Sequence, residues 1–250
     1  MSGQGLIETI RIINSGIPFR QLHIDRLYRS LQMSGIKITL NETEAQFDKI
    51  IEQTQEIYSS DNLRLRIEVR LHQQKLIWHF NSSGLNDAGF ILNEIPLNLT
   101  IFKDNYKTIH DFCNLKSTDR LIYDEAKAFA TKNSFDDALI LNTDRTIADA
   151  TIFNVFMVKD NQVYTPRLSD APIDGVLRRF LLNTVSSYPI IEQAITQEAI
   201  LSADEIFLTN AVRGIRQVGR INDVSLKNDI TKQIFNEFIV KVSNFNHQIQ

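Results

Sequence analysis

The chain has 250 residues, of which 43% are hydrophobic and 23% charged, and its formal net charge at pH 7 is −3. These values are typical of a soluble globular protein with one large core or two small ones, and they exclude a surface rich in Lys and Arg for nucleic acid. No apolar run approaches the ~20 residues of a membrane helix, and the first residues lack the pattern of a secretory leader.

The cysteine and histidine residues indicate the cellular compartment and bear on nucleophilic catalysis and metal binding. The one cysteine, Cys113, precludes an intrachain disulfide, which is typical of the reducing cytoplasm. Cys113 stands beside Phe112, a setting that favours packing over nucleophilic catalysis. The five histidines have no paired spacing, so we expect no metal site.

The first 105 residues read as a small α+β subdomain. A strand is predicted at 6–13, followed by a helix from about His23 that ends at Gly35. A second helix is predicted with Asn41 or Thr43 as its cap. A half-buried strand is then predicted by the alternation in NLRLRIEVR, and KLIWHF and AGFILNEI are expected to extend an antiparallel sheet.

Residues 106–250 are predicted to form a larger subdomain, and the boundary between the two falls within a less regular stretch at 95–114. A helix is predicted from Ser117 or Thr118, and a C-terminal helix at about 225–245. Between them the predicted strands have the sequences DDALILN, TIADATIFNVFMVKD, QVYTP and EIFLTNA.

A glycine opens another predicted helix in YTPRLSDAPIDGVLRRFLL. Gly175 can serve helix geometry alone, which is the simpler interpretation. The alternative is a phosphate site, because the N–H groups of a first helical turn point outward.

Lys116 and Asp149 supply two further candidate groups. Lys116 precedes the helix predicted from residue 117 or 118, where the helix dipole disfavours a cation. It is either a surface lysine or a partly buried amine of lowered pKa that can form a Schiff base. An amine, a phosphate cradle at Gly175 and a carboxylate at Asp149 are together what pyridoxal phosphate (PLP) requires.

The order of these motifs resembles the class IV aminotransferase family, the fold-type IV PLP enzymes. The resemblance runs from about Leu6 to Ile215. It rests on the segments LIETIRI, LHIDRLYRSL, LKSTDRL, DDALILN, IADATIFNVFMVKD, VYTPRLSDAPIDGV and ADEIFLTNAVRGI. It implies an α+β chain of two α/β subdomains with PLP as cofactor, an amino substrate, and a homodimer that binds neither nucleic acid nor membrane.

The resemblance assigns roles to individual residues. Lys116 matches the lysine that forms the Schiff base and shuttles the substrate proton, and Arg26 matches an arginine that binds the cofactor phosphate. Val176 and Leu177 match the residues whose backbone N–H groups bind that phosphate. Asp149 stands where the family usually has the Glu that partners the pyridine nitrogen.

Several departures from the family pattern decide between its activities. Residues 1–5 leave no room for the usual first strand, so we expect a shortened N-terminal strand region. Asn210-Ala211-Val212 replaces a Gly-Thr-Ala turn, although Ala211 keeps its N–H for the phosphate. The motifs Lys-x-x-x-Arg-Leu, Tyr-Thr-Pro-Arg-Leu and Thr-Asn-Ala look more like the lyases of this family.

The resemblance therefore implies a lyase that converts 4-amino-4-deoxychorismate to 4-aminobenzoate and pyruvate. The alternatives are an aminotransferase for branched-chain or D-amino acids and a non-catalytic relative that keeps the fold.

Overall fold

A computed structural model describes residues 5–58, 62–73, 75–87 and 89–247, with side chains up to 243. The chain forms two compact units. Unit 1 comprises Met1–Gly89, Leu115–Asp119 and Val242–Gln250, and unit 2 comprises Phe90–Asn114 and Arg120–Lys241. The predicted division into subdomains at 1–105 and 106–250 stays a prediction. The prediction for residues 1–5 falls, except for Gly5, outside the described residues.

Unit 1 is a three-stranded antiparallel sheet with two helices. Its strands, in the order β1-β2-β3, are β1 (Leu6–Ile13), β2 (Asn62–His72) and β3 (Lys75–Gly84), and its helices are α1 (Arg20–Met33) and α2 (Leu40–Ile57). Apolar side chains of β1, α1, α2 and β2 form one core. The period-2 and helical patterns of the sequence therefore predicted these elements correctly.

The cap of α2 differs from the prediction. Thr39, and neither Asn41 nor Thr43, is the N-cap, because its Oγ1 accepts a hydrogen bond from Glu42 N at 3.2 Å. Glu42 Oε2 in turn accepts from Thr39 N at 2.8 Å, which completes a capping box. Two orphan N–H groups are thus satisfied, and the helix begins one residue before Asn41.

Unit 2 contains a mixed sheet of nine strands in the order β6-β5-β4-β11-β10-β7-β8-β9, with β12 paired to β11. The strands are β4 (Leu97–Lys107), β5 (Asp137–Asn142), β6 (Ile147–Ala150), β7 (Asn154–Lys159), β8 (Gln162–Thr165), β9 (Ile190–Glu192), β10 (Glu205–Asn210), β11 (Gly214–Ile221) and β12 (Val224–Ser225). The helices are α3 (Leu121–Lys132), α4 (Val176–Thr184), α5 (Gln197–Leu201) and α6 (Asp229–His247), whose last residues, from Val242, belong to unit 1.

Two predictions for residues 88–114 are wrong. The stretch at 95–114 was expected to be irregular, yet it contains the long strand β4, which pairs in parallel with β5 and β11. The run AGFILNEI was expected to be a strand, yet residues 89–96 form none. The side chain of Asn93 takes the place of a strand backbone there, because it donates to Gln217 O at 3.0 Å and accepts from Gln217 N at 2.9 Å.

Two predicted elements are subdivided or displaced. The run predicted as one strand at TIADATIFNVFMVKD is two strands, β6 and β7, separated by residues 151–153. Helix α3 begins at Leu121 and not at Ser117 or Thr118, because Thr118 N donates to Gly5 O at 2.8 Å in a strand-like pairing. Among the described helices, none combines the length and the apolar character needed to cross a membrane.

Candidate active site

Lys116 lies in a short extended segment of unit 1 that runs beside β1. Ile7 N donates to Lys116 O at 2.8 Å, and Gly5 N donates to Thr118 Oγ1 at 2.9 Å. The side chain of Lys116 is half-buried. The expectation that Lys116 stands directly before a helix is wrong, since α3 begins at Leu121. Backbone pairing with β1, and not a helix terminus, fixes its position.

A buried carboxylate lies at the centre of unit 1, on β1. Glu8 receives two hydrogen bonds from Arg26, from Nε to Oε1 at 2.6 Å and from Nη2 to Oε2 at 2.5 Å. His23 Nδ1 lies 2.9 Å from Glu8 Oε2. Glu8, His23 and Arg26 are all buried. Arg26, the predicted phosphate ligand, is therefore held in a fork-shaped ion pair.

The charges of this cluster follow from opposing effects on the two pKa values. Burial by itself would raise the pKa of Glu8, but the charge and hydrogen bonds of Arg26 and the hydrogen bond from His23 lower it to about 2. Burial lowers the pKa of His23, against the pull of Glu8 and aided by the charges of Arg26 and Lys116. Glu8 is thus ionised and His23 neutral, so His23 Nδ1 carries the proton that it donates to Glu8.

Asp149 is the corresponding buried carboxylate of unit 2, on β6. Its Oδ2 accepts from Lys107 Nζ at 3.1 Å, from Tyr123 Oη at 3.0 Å and from Ile173 N at 2.9 Å. Its Oδ1 accepts from Asn154 Nδ2 at 3.0 Å. Each oxygen of a carboxylate has two lone pairs that can accept hydrogen bonds. Among the described residues Oδ1 has one donor, so this oxygen retains capacity for another.

Lys107 and Tyr123 contact Asp149 at the same oxygen, Oδ2, and also contact each other. Lys107 Nζ donates to Tyr123 Oη at 2.5 Å and forms a buried ion pair with Asp149. Burial, followed by the charge and hydrogen bond of Asp149, raises the pKa of Tyr123 well above its usual value. Tyr123 consequently stays protonated and remains a donor to Asp149.

The opening of α4 lies beside this acid in unit 2. Gly175, the N-cap residue, offers no side-chain acceptor to the first turn. Val176 and Leu177, whose N–H groups were predicted to bind phosphate, are buried there. A Cβ on Gly175 would lie 1.8 Å from Asn154 Oδ1, so only glycine allows this approach. The structure thus brings together two predicted features, Asp149 and the Gly175 helix mouth.

Ala211 lies in the turn between β10 and β11. Asn210 Oδ1 accepts from Val212 N at 3.1 Å and from Arg213 N at 2.7 Å, which shapes this turn. The Ala211 side chain is almost fully buried. Its predicted contact with a phosphate stays a prediction.

Four residues of these clusters were not predicted from the sequence: Glu8, Lys107, Tyr123 and Asn154. Glu8 had one detectable signal, since it is a lone carboxylate in the otherwise mostly buried strand LIETIRII. Lys107 ends the strand β4, which the sequence pattern did not reveal. Its contact with Asp149 spans 42 residues, a distance over which local periodicity carries no information.

The donor sets fit PLP in each unit separately. Unit 1 offers an amine, Lys116, and the buried cation Arg26. Unit 2 offers the buried side chain of Asp149, which is paired with Lys107 and has acceptor capacity on Oδ1, and the uncapped first turn at Val176. Among the residues that the structure describes, no group of three or more His, Cys, Asp or Glu side chains could hold a metal ion.

Comparisons with known proteins also indicate similarity to PLP-dependent enzymes. The pattern of the family described as Amino-transferase class IV matches residues 5–221. Aminodeoxychorismate lyase of Bacillus subtilis is 28% identical over 89% of this chain and 79% of its own length. D-alanine aminotransferase of Bacillus licheniformis is 25% identical over 88% of this chain and 80% of its own.

A solved structure shares the fold. The aminotransferase from Brucella abortus bound to the co-factor PLP superposes with a TM-score of 0.80 and 16% identity, over 97% of this chain and 89% of that one. The predicted α+β architecture of the fold-type IV enzymes is thereby confirmed.

Proposed function

We propose, because the chain belongs to the amino-transferase class IV family, that it is the PLP-dependent lyase that converts 4-amino-4-deoxychorismate to 4-aminobenzoate and pyruvate. The enzymes of this family depend on PLP. The observation that carries the proposal is Asp149, a buried carboxylate that is paired with Lys107 and has acceptor capacity on Oδ1.

Bound PLP supplies an electron sink that is conjugated with the amine-bearing carbon of the substrate. Asp149 would hold the ring nitrogen of PLP through a hydrogen bond and so favour its protonated form. Aspartate is one methylene shorter than the usual glutamate, and β6 holds it within hydrogen-bond distance of Lys107, Tyr123, Ile173 and Asn154. These four contacts hold the shorter side chain in one position.

Lys116 anchors the cofactor and moves the substrate proton. Its Nζ takes the proton from the amine-bearing carbon, a step in which a positioned base contributes ~10²- to 10⁴-fold in rate. Arg26, fixed by Glu8, and the N–H groups of Val176 and Leu177 would hold the phosphate, as the family resemblance implies. Ala211 N–H is a further phosphate donor.

The lyase reaction needs no co-reactant. The bond between the ring and the oxygen of the enolpyruvyl group breaks, and the oxygen leaves with the three-carbon fragment as pyruvate. The proton lost from the amine-bearing carbon balances the one gained by pyruvate, and the ring becomes aromatic. The lyase is favoured by the Bacillus subtilis relative and by the spacing of Lys116, Arg120 and Leu121.

The second candidate is an aminotransferase that acts on branched-chain or D-amino acids. The similarity to the Bacillus licheniformis enzyme supports it. A product assay separates the two candidates. Release of 4-aminobenzoate and pyruvate from aminodeoxychorismate without a 2-oxoacid supports the lyase, and turnover that depends on a 2-oxoacid co-substrate supports the aminotransferase.

The experiment that tests the cofactor and its anchor is chemical trapping. PLP is added, the absorption of the bound cofactor is recorded, and borohydride reduction is followed by peptide mass mapping. We expect one adduct, on Lys116, and none in the Lys116→Ala variant. Lys103→Ala, at an exposed lysine of β4, is the matched control and should be labelled like wild type. Labelling spread over surface lysines would contradict the proposal.

The proposal also covers the pathway, the cellular compartment and the oligomeric state of the protein. A lyase that forms 4-aminobenzoate acts in folate biosynthesis, and the family resemblance supports a cytoplasmic homodimer. Light scattering of the purified protein checks the oligomeric state, and a monomer at micromolar concentration would contradict it.

A further inference from the structure

Asn154 is the first residue of β7, is 6% exposed, and donates both hydrogens of its amide group. Nδ2 donates to Asp149 Oδ1 at 3.0 Å and to Ile173 O at 2.8 Å. Both partners are acceptors, so the network fixes which side of the amide carries nitrogen. The orientation of Asn154 follows from its contacts.

These bonds close a ring that includes the loop before α4. Ile173 N donates to Asp149 Oδ2 at 2.9 Å, while Ile173 O accepts from Asn154. Two residues later, Gly175 packs against Asn154 so closely that an added Cβ would lie 1.8 Å from its Oδ1. Asn154 is therefore in contact with the acid and with the opening of the helix.

The two oxygens of Asp149 differ in the number of hydrogen bonds that they accept, and Asn154 is the donor to the oxygen with fewer. Oδ2 accepts three hydrogen bonds, from Lys107, Tyr123 and Ile173, which exhaust its acceptor capacity. Oδ1 accepts only the bond from Asn154 among the described residues. That single donor sets the direction in which Oδ1 can accept a second hydrogen bond.

We propose that Asn154 is a positioning residue that aims Asp149 Oδ1 at the ring nitrogen of PLP and holds the opening of α4 in register for the phosphate. This inference rests on the proposed function. It gives Asn154 no contact with the reacting atoms. Asn154 acts through Asp149 and through the backbone at Gly175.

Asn154→Asp is the informative variant, because it replaces a donor by an acceptor of the same shape. Two carboxyl groups about 3 Å apart cannot both ionise easily, so the pair holds one proton until the pH rises. While protonated, the new carboxyl can still donate to Asp149 Oδ1. Asn154→Ala lacks the donor at every pH. Asn93→Asp is the matched control, since Asn93 also donates to two carbonyls in unit 2 but contacts no proposed site residue.

The readout is the equilibrium dissociation constant for PLP, followed by the absorption of the bound cofactor between about pH 5 and 9. The dissociation constant of each variant is expressed as a ratio to that of wild type, which cancels the pH dependence that all variants share. For Asn154→Asp we expect a ratio that is smallest at low pH, where one of the two hydrogen bonds is kept, and that rises at least ~tenfold as the shared proton is lost. For Asn154→Ala we expect a ratio raised equally at all pH values, and for Asn93→Asp a ratio that does not vary with pH.

A second readout uses the apoprotein and does not depend on PLP. The introduced carboxyl has a folded-state pKa above its unfolded value, so its contribution to stability is present at low pH and lost as the pH rises through the folded-state value. The melting temperature of Asn154→Asp relative to wild type should fall over the same pH window as the affinity.

The possible outcomes distinguish failure of the proposed function from failure of the positioning role of Asn154. Wild-type protein that binds no PLP would overturn the proposed function, and this inference with it. Wild-type binding together with a pH-independent ratio for Asn154→Asp would overturn the positioning role alone. So would equal losses in Asn154→Ala and in Asn93→Ala, the alanine variant at the control site.

Discussion

Replacing Glu8 by glutamine removes the buried negative charge of unit 1 while it keeps the shape of the side chain. In the wild type the pKa of Glu8 falls from 4.5 to about 2. A displacement of that size corresponds to ~3 kcal/mol of folding free energy. Arg26, buried on α1, would lose its Glu8 carboxylate, and breaking a buried pair in this way costs about 3–5 kcal/mol. We therefore expect Glu8→Gln to destabilise unit 1 by about 3 kcal/mol at pH 7.

The same ion pair sets the acid sensitivity of unit 1. A lowered folded-state pKa contributes stability above the unfolded value, and that contribution is lost as the pH falls toward the folded value. For Glu8 the window extends from 4.5 to about 2. The lowered pKa of His23 adds a loss that begins below 6.5. Glu8→Gln should abolish the step between pH 4.5 and about 2 and leave the loss from His23 that begins below 6.5.

Guanidinium unfolding followed by tryptophan fluorescence measures both effects. Trp78, the one tryptophan of the chain, packs against the core of unit 1. Glu44→Gln is the matched control, because its pair with Arg20 is partly exposed and contributes at most about 1 kcal/mol. A Glu8→Gln variant as stable as Glu44→Gln, or one that keeps the wild-type loss of stability between pH 4.5 and 2, would refute the reasoning.

Two further predictions concern unit 2. Lys107→Met should lower its stability by about 3–5 kcal/mol in thermal unfolding followed by circular dichroism, since Asp149 loses its buried counter-charge; a loss below about 1 kcal/mol would contradict this. Gly175→Ala should cost about 1–3 kcal/mol and weaken PLP binding, because the new Cβ displaces Asn154. Gly84→Ala, where a Cβ meets nothing within 4 Å, is the control and should bind PLP like wild type.

Local periodicity predicted the elements whose burial alternates regularly. Helix α2 has an apolar stripe, and β2 alternates buried with half-buried residues, so pattern and structure agree. Strand β4 was missed because its second half, from Lys103 on, is polar and largely exposed, and its partners β5 and β11 are distant in the chain. Pairing with these distant strands keeps β4 extended, and the local sequence pattern does not show that pairing.

In the candidate site, too, some residues could be predicted from sequence motifs, and others were found only from their contacts in the structure. Lys116, Arg26 and Gly175 could be named in advance because each belongs to a motif with a chemical meaning. The partners that determine their charge and orientation could not, since Glu8 meets Arg26 across 18 residues and Lys107 meets Asp149 across 42. Such partners come together only in the folded chain. The sequence therefore identified the candidate ligands but not the groups that determine their charge and the orientation of their side chains.

The charged side chains proposed to hold the cofactor are already paired within the protein, Arg26 with Glu8 and Asp149 with Lys107. An uncompensated buried charge would destabilise either unit by several kcal/mol, so a chain that relied on PLP for these pairings would unfold on its removal. We expect the opposite, an apoprotein with an unchanged far-ultraviolet circular dichroism spectrum and a cooperative unfolding transition. PLP should then stabilise by mass action alone, by ~2.7 kcal/mol at a free concentration of 100 times Kd. An apoprotein that loses its secondary structure at 25 °C would show that these internal ion pairs do not suffice.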